Sequence, residues 1–274
     1  MRLPSLHLHA LHLYPLKSAA GLSVDALAIE PRGPRFDRRW LVVDADGRFV
    51  TARAVPELVR VRAEPDGDGL RLSAPGLPPL AVAPPSPAAP RIAVTVWKDR
   101  VEAPLADAAA HAWLSAWLQR DVRLAWMDAA ARRPVDPAYG QAGDEVSFAD
   151  GYPLLLISQA ALDGLNARLA ASGRPPVTMA HFRPNLVVAG AAAHAEDDWR
   201  RLRIGEVVFD AVKPCTRCVF TTVDPALGKR RDDGEPLETL KAYRRTPAGV
   251  TFGMNLIARG AGTVRAGDAV EVLA

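Results

Sequence analysis

Both cysteines of the chain, Cys215 and Cys218, stand three positions apart in Lys213-Pro214-Cys215-Thr216-Arg217-Cys218. A pair at this spacing can act as a dithiol redox couple, as half of a zinc site, or as the source of one thiolate for a soft metal centre. Zinc needs further ligands, and the chain has no second cysteine pair to give them. A dithiol couple expects a helix to start at the motif, because the helix N-terminus favours the thiolate. Here Val219-Phe220-Thr221-Thr222-Val223 reads as a strand instead. The plain alternative is two small residues packed in a β core.

Most of the elements around this stretch are predicted strands. Leu6 to Tyr14 alternates with period two, which puts His7 and His9 on one face and His12 on the other; with no carboxylate or thiol nearby, the three read as polar teeth rather than metal ligands. Pro15-Leu16-Lys17-Ser18-Ala19-Ala20-Gly21 is a turn whose ammonium and hydroxyl suit an anion or plain solvent. Asp37-Arg38-Arg39-Trp40 leads into a strand and the hairpin turn Asp44-Ala45-Asp46-Gly47, and Arg38 either pairs with Asp37 or reaches a ligand. Further strands are expected at Leu58 to Ala63, Gly69 to Ala74, Ile92 to Trp97 and Val122 to Trp126. The proline-dense stretch from Ala74 to Pro90 reads as an exposed connector.

Asp107 is placed to cap a helix over Ala108 to Gln119, with Trp113, Leu114 and Trp117 on its apolar side. Arg132 to Val146 reads as irregular. Leu154 to Ile157 is an apolar strand, and Ser158 is expected to cap a helix through Leu169. Phe182 to Val188 begins a strand with Arg183 and Asn185 two apart, Asp197 to Ile204 forms a short amphipathic link, and Glu206 to Val212 feeds the cysteine stretch.

Several of these segments recur in one order: Tyr14-Pro15-Leu16-Lys17-Ser18, Asp37-Arg38-Arg39-Trp40, Phe182-Arg183-Pro184-Asn185, the cysteine stretch, Thr221 to Pro225, Pro236 to Arg244, Phe252-Gly253-Met254-Asn255 and Ala266 to Leu273. In order and spacing they resemble the MOSC family of molybdenum-cofactor proteins, in the branch that holds the mitochondrial amidoxime-reducing component and its bacterial relatives. The resemblance covers nearly the whole chain. It implies a mostly β (α+β) fold with added helices: an N-terminal MOSC-associated β domain over residues 1–120, packed on a MOSC β-barrel domain over residues 121–274, with the cofactor between them.

The resemblance also implies roles. Lys17, Ser18, Arg38, Gly151, Tyr152, Arg183, Asn185, Thr216, Cys218 and Asn255 are expected at the molybdenum cofactor (Mo-molybdopterin), with Cys218 as the metal ligand and Cys215 as its neighbour. Asp224 is expected either to serve catalysis by relaying protons or to form the turn before Pro225. The implied activity is reduction of N-hydroxylated compounds such as hydroxylamines and amidoximes, independent of pyridoxal phosphate. The Cys-x4-Cys-x2-Cys signature of an appended iron–sulfur domain is absent, as is a Gly-x-Gly-x-x-Gly nicotinamide fingerprint. Electrons are therefore expected from a separate flavin or iron–sulfur reductase. Two competing functions are a non-catalytic cofactor carrier or sulfur-transfer module, and a cofactor-free β-barrel binding module.

Composition narrows the classes. Lys plus Arg number 34 against 31 Asp plus Glu, and so small an excess does not argue for nucleic acid; the triplet Lys229-Arg230-Arg231 reads as a solvated loop. Two cysteines make no disulfide framework, which points to a reducing cytoplasm. No apolar leader opens the chain, and no run approaches the ~20 apolar residues of a membrane helix, so no membrane partner is expected.

Overall fold

The computed structural model describes residues 5–274. Residues 1–4, on which the absence of a leader partly rests, lie outside that range. Among the described residues strands dominate, with three α-helices: α1 at Ala108–Leu118, α2 at Gln159–Ala171 and α3 at Leu237–Tyr243.

One large sheet organises the molecule. Its strands run, edge to edge, Leu22–Val24, His7–Leu13, Leu186–Ala189, Leu154–Ser158, Gly249–Ala258, Val207–Thr216, Arg201–Ile204 and Val270–Val272. Neighbours are antiparallel except Leu154–Ser158 and Leu186–Ala189, which are parallel and joined through α2. That crossover works because Leu162, Leu165 and Leu169 fall on one helical face and bury against the sheet with Val187 and Phe252. The opening strand His7–Leu13 sits inside this sheet, beside Leu186–Ala189. The sequence division at residue 120 is thus not a division of the sheet.

The chain between residues 40 and 126 builds a second β unit around its own core, where Trp40, Val42, Leu58, Leu72, Leu114 and Leu124 are buried. Trp40–Val43 pairs with Arg123–Trp126, and Arg91–Val96 with Asp99–Pro104. The turn after Trp40–Val43 is shaped by Asp44, whose Oδ1 accepts from the Asp46 and Arg48 amides. Helix α1 starts as its sequence signal predicts: Asp107 Oδ1 accepts the Ala110 N–H at 2.8 Å, and Trp113 and Leu114 face the core.

Several expectations are corrected. A β-bulge between Leu8 and Ala10 breaks the first strand's alternation, so Leu8, Leu11 and Leu13 are buried while His12 shares a side with His7. The strand expected from Leu58 begins only at Arg62, because Pro56, at the start of a 3-10 turn, fixes Pro56–Arg60. The proline-dense connector contains the strand Leu77–Val82. It pairs only with Gly69–Ala74, and an edge tolerates Pro78 and Pro79. The link from Asp197 is the strand Arg201–Ile204, with Leu202 and Ile204 buried in alternation. Ser158 stands before α2, but its hydroxyl makes no capping bond; it ends a buried strand, and its amide donates to Glu196 Oε1.

Candidate functional site

The strand Val207–Thr216 runs through Cys215 rather than ending before it, with bulges against Gly249–Ala258 near Val212 and Cys215. Arg217 then pins the turn: its amide donates to Val250 O, and its guanidinium to Phe252 O and Phe182 O. Beyond Cys218 the expected strand does not form. Val219–Thr222 is a 3-10 turn, because Thr221 and Thr222 donate their hydroxyls back to Cys218 O and Val219 O and so compete with ladder bonding. Both cysteines are free and half-buried.

They open onto a cavity of ≈ 500 Å³ between the large sheet and the second β unit. The structure brings Lys17, Ser18 and Arg38, from the chain between His7–Leu13 and Trp40–Val43, to this cavity together with Arg183 and Asn185, which precede Leu186–Ala189. Gly151, Tyr152, Thr216, Cys218 and Asn255 line it as well. Asp224 does not line it. Its Oδ1 accepts the Ala226 and Leu227 amides in a turn, the arrangement expected of an aspartate before proline.

Buried hydrogen bonds fix the lining. Arg38 Nη1 donates to Asp37 Oδ2 at 2.5 Å and to Asn185 Oδ1 at 3.0 Å, so pairing with Asp37 and facing the cavity go together. The guanidiniums of Arg38 and Arg183 each lie 4.2 Å from the Tyr14 ring centroid, an aromatic mount between two cations. Burial pushes the Tyr14 hydroxyl up to about 12, and it stays a donor to Pro184 O. Ser18, Arg38, Trp97 and Arg183 all have positive φ (67°, 47°, 58° and 60°) and all line the cavity. Left-handed backbone at non-glycine residues is costly and gathers where function needs it.

Lys17 Nζ donates to Phe148 O and to Asp150 Oδ1, both at 2.7 Å. Burial pushes the Lys17 ammonium down to about 8, against the opposing pull of Asp150. Asp150 is open to the cavity, and Lys17 and Arg53 outweigh its desolvation and hold its carboxyl below the usual range. Arg133, buried within the irregular loop, donates to Ser147 O at 2.8 Å and Asp150 O at 2.9 Å and so sets where Asp150 stands.

Sequence reasoning missed Arg53. Its Nε donates to Cys218 Sγ at 3.2 Å, its Nη2 approaches Asp150 Oδ2 at 3.3 Å, and its guanidinium lies 4.1 Å from the Trp97 ring. It also missed Asp150, Arg217 and His181. Ala52 and Val55, buried on either side of Arg53, carry the apolar signal of that stretch, and nothing in it marks a charged residue aimed at a sulfur. Cys215 differs from Cys218: burial pushes its thiol up, with Arg217 only partly opposing, so it stays protonated.

The cavity can hold an anion beside a soft centre. Lys17, Arg38, Arg53, Arg183, Lys213 and Arg217 line it, with Asp150 as the carboxylate among them. His181 lines it too, and its buried Nε2 has no protein partner. Among the described residues, no group of three or more His, Cys, Asp or Glu is arranged to hold a metal, so a zinc site lacks its remaining ligands. Nor does any helix of the described residues have the length and apolarity to cross a membrane.

Residues 5–121 match the MOSC N-terminal beta barrel domain and residues 143–271 the MOSC domain. The chain is similar to mitochondrial amidoxime-reducing component 1 of Mus musculus, at 35% identity over 96% of this chain and 81% of that protein. The Homo sapiens protein of that name is 34% identical over 96% of this chain and 82% of its own length. A molybdenum cofactor sulfurase of Oryza sativa subsp. japonica is 31% identical over 92% of this chain, which spans 32% of that longer protein. Among solved structures, the YUAD protein from Bacillus subtilis aligns over 97% of this chain and 94% of that chain at 10% identity, with a TM-score of 0.42. On the strength of its two domain matches and its near full-length similarity to the amidoxime-reducing components, the chain belongs to the MOSC family, in the form that joins an N-terminal MOSC β-barrel domain to a MOSC domain.

Proposed function

We propose that this protein is a molybdenum-cofactor oxidoreductase that reduces N-hydroxylated compounds, such as hydroxylamines and amidoximes, with electrons from a separate redox protein. The observation that carries the reading is Cys218, the thiol of the two in this cation-rich cavity that has a guanidinium donor at its sulfur. A soft sulfur suits molybdenum, and clustered Lys and Arg suit a phosphate-bearing pterin. The orphaned His181 Nε2 adds a buried polar atom with room for a ligand. Similarity to the amidoxime-reducing components supports the substrate class.

In this reading Cys218 would hold the metal, while Lys17, Ser18, Arg38, Arg183 and Asn185 would hold the pterin and its phosphate. Gly151, Tyr152, Thr216 and Asn255 would close around it. When bound, the molybdenum cofactor supplies two-electron removal of oxygen from nitrogen, and the oxygen leaves as water. Arg53 keeps the sulfur oriented, and Asp150 keeps Lys17 and Arg53 in place. Lys17, Arg38 and Arg183 suit one compact anion, so the pterin monophosphate rather than a nucleotide-extended form is expected. Two free thiols fit a reducing compartment, and we place the protein in the cytoplasm.

The test is to make the protein in a cofactor-competent host and assay it with a chemical reductant. About one molybdenum per chain and turnover of an amidoxime are expected, with little turnover from NADH alone. Pterin without turnover would make it a carrier instead; zinc on the cysteines and no molybdenum would sink both readings.

Lys17 gives the site a pH signature. An anion in the cavity favours the charged ammonium, so binding takes up a proton wherever free Lys17 is neutral. Affinity of the cofactor-free protein for inorganic sulfate, a dianion throughout this range, should hold just below pH 8, where Lys17 is charged, and fall above it. The fall should approach about tenfold per pH unit at its steepest. Lys17→Arg, which stays charged, should flatten the profile. Calorimetric titration across this range checks it, and a level wild-type profile would exclude Lys17 from the anion site.

A further inference from the structure

The triplet that reads as a solvated loop is tied to the cavity. Lys229–Arg230 folds back on Val223–Asp224 as a short ribbon. Gly228, at φ +63°, lays that ribbon on the Pro56–Arg60 turn, where an added Cβ would come 2.8 Å from Arg60 Cδ and 3.2 Å from Glu57 Cα. Arg230 Nη2 donates to Arg53 O at 2.7 Å. Arg53 is thus held by the ribbon through its backbone, by Trp97 through its guanidinium face, and reaches Cys218 Sγ with its Nε. One residue links the outer rim to the sulfur inside.

The same rim carries unusual surface. The large apolar side chains left exposed among the described residues are Trp97, Tyr139, Leu227, Val272 and Leu273. Trp97 lines the cavity, Tyr139 packs on the lining Tyr152, and Leu227 tips the ribbon, while Val272 and Leu273 lie at the C-terminal end. Lys98, Lys229 and Arg230 are exposed, and among the described residues none of them has a carboxylate at ion-pairing distance. Of the nearby acids, Asp224 is held in its turn, Asp150 by Lys17 and Arg53, and Asp99 by Arg133, while Glu57 beside Arg60 and Asp232 beyond the ribbon stand exposed. Apolar tips among cations that form no ion pair mark an interaction face, and such cations steer and orient an acidic partner.

We propose that this rim, from Lys98 and Trp97 across Arg53 to the ribbon Val223–Arg230, is where the electron-donor protein docks, and that the donor presents an acidic face. The proposal rests on the oxidoreductase reading above. Electron transfer weakens steeply with distance, and Arg53 connects this rim to the Cys218 sulfur by direct contacts. The overall step is R–NHOH + 2e⁻ + 2H⁺ → R–NH₂ + H₂O, with two one-electron donor molecules oxidised per product. The alternation of cations and apolar tips around a concave mouth favours a protein over a flat lipid surface.

The experiment assays the holoprotein with a photoreduced, acidic plant-type [2Fe–2S] ferredoxin as donor and, in parallel, with a zwitterionic viologen of no net charge. The double variant Lys98→Glu, Lys229→Glu should lower ferredoxin-supported kcat/KM about tenfold and remove most of its decline with salt. Leu227→Ser should lower it with the salt dependence kept. Viologen-supported turnover should stay within about twofold, because none of these three side chains lines the cavity. Titration of oxidised ferredoxin, read by calorimetry, reports docking without turnover. Equal affinities in wild type and variant, or no ferredoxin binding to wild type, would overturn the docking face. Binding to anionic vesicles that the double variant abolishes, with no ferredoxin binding, would make it a membrane face and overturn the proposal too. Failure of viologen turnover in the wild type strikes the oxidoreductase reading instead, and the titration still decides the docking face.

Discussion

Cys218→Ala is expected to abolish turnover of an N-hydroxylated substrate and to alter the molybdenum spectrum of the loaded protein, whereas Cys215→Ala should leave both in place. The two sulfurs are three residues apart, yet their surroundings give them different tasks. Cys218 Sγ receives Arg53 Nε at 3.2 Å, so a positive charge stands beside it inside the cation-lined cavity. Cys215 packs beside a hydrophobic cluster that includes Leu155 and Phe252, and burial keeps its thiol protonated. A protonated thiol is a poor metal ligand, because the thiolate is the form that binds. Removing Cys215 therefore trims a small packed side chain, at a cost on the order of 1 kcal/mol. Removing Cys218 would delete the proposed coordination bond, even where the cations still retained the pterin. The two variants are loaded in parallel and compared for molybdenum content, spectrum and reductase rate. A dead Cys215→Ala beside an active Cys218→Ala would reverse the assignment, and full activity in both would end the idea of a thiolate ligand.

How far the sequence shows this site depends on how local each signal is. The Asp107 cap, the Asp44 turn and the apolar face of α2 are set within a few residues, and the structure shows all three. Signals that compete locally misled. Val219 to Val223 has strand composition, but its two threonines bond back to the preceding carbonyls and curl the chain. Leu77 to Val82 carries prolines, yet it is an edge strand, where a missing N–H goes unneeded. The cavity itself is the least legible part. Its residues run from Lys17 to Asn255, and no periodicity connects them. Those positions are legible only through ordered motifs shared with a family. Arg53 and Asp150, in none of those motifs, needed coordinates, because an ion pair between residues 53 and 150 is a product of the completed fold.

Asp37→Ala should unfold this protein more readily than any surface charge deletion, by about 3–5 kcal/mol, the cost of breaking a buried charge pair. Asp37 has no exposed surface, and its carboxylate is fully used. Oδ1 accepts the Tyr14 amide at 2.9 Å and Asn185 Nδ2 at 3.0 Å, while Oδ2 accepts Arg38 Nη1 at 2.5 Å. Truncation leaves the Arg38 guanidinium without its counter-charge and orphans two further donors, Tyr14 N and one Asn185 N–H. Those groups come from the first strand's end, the second β unit's start and the segment before Leu186–Ala189, so the damage falls where the two units join. Asp37→Asn keeps the volume but turns an N–H toward one of these donors, and a smaller loss is expected, about 2–3 kcal/mol. Urea titration of the cofactor-free protein reads both as lower midpoints with an unchanged slope. Glu271→Ala is the control: its partner Arg203 is half-exposed, and such pairs contribute about 0–1 kcal/mol. A midpoint for Asp37→Ala no lower than that of Glu271→Ala would mean that the Asp37–Arg38–Asn185 network orients the cavity without holding the fold. Cofactor retention in the two Asp37 variants would then fall while the urea midpoint stayed put, a result that separates positioning from stability within one set of measurements.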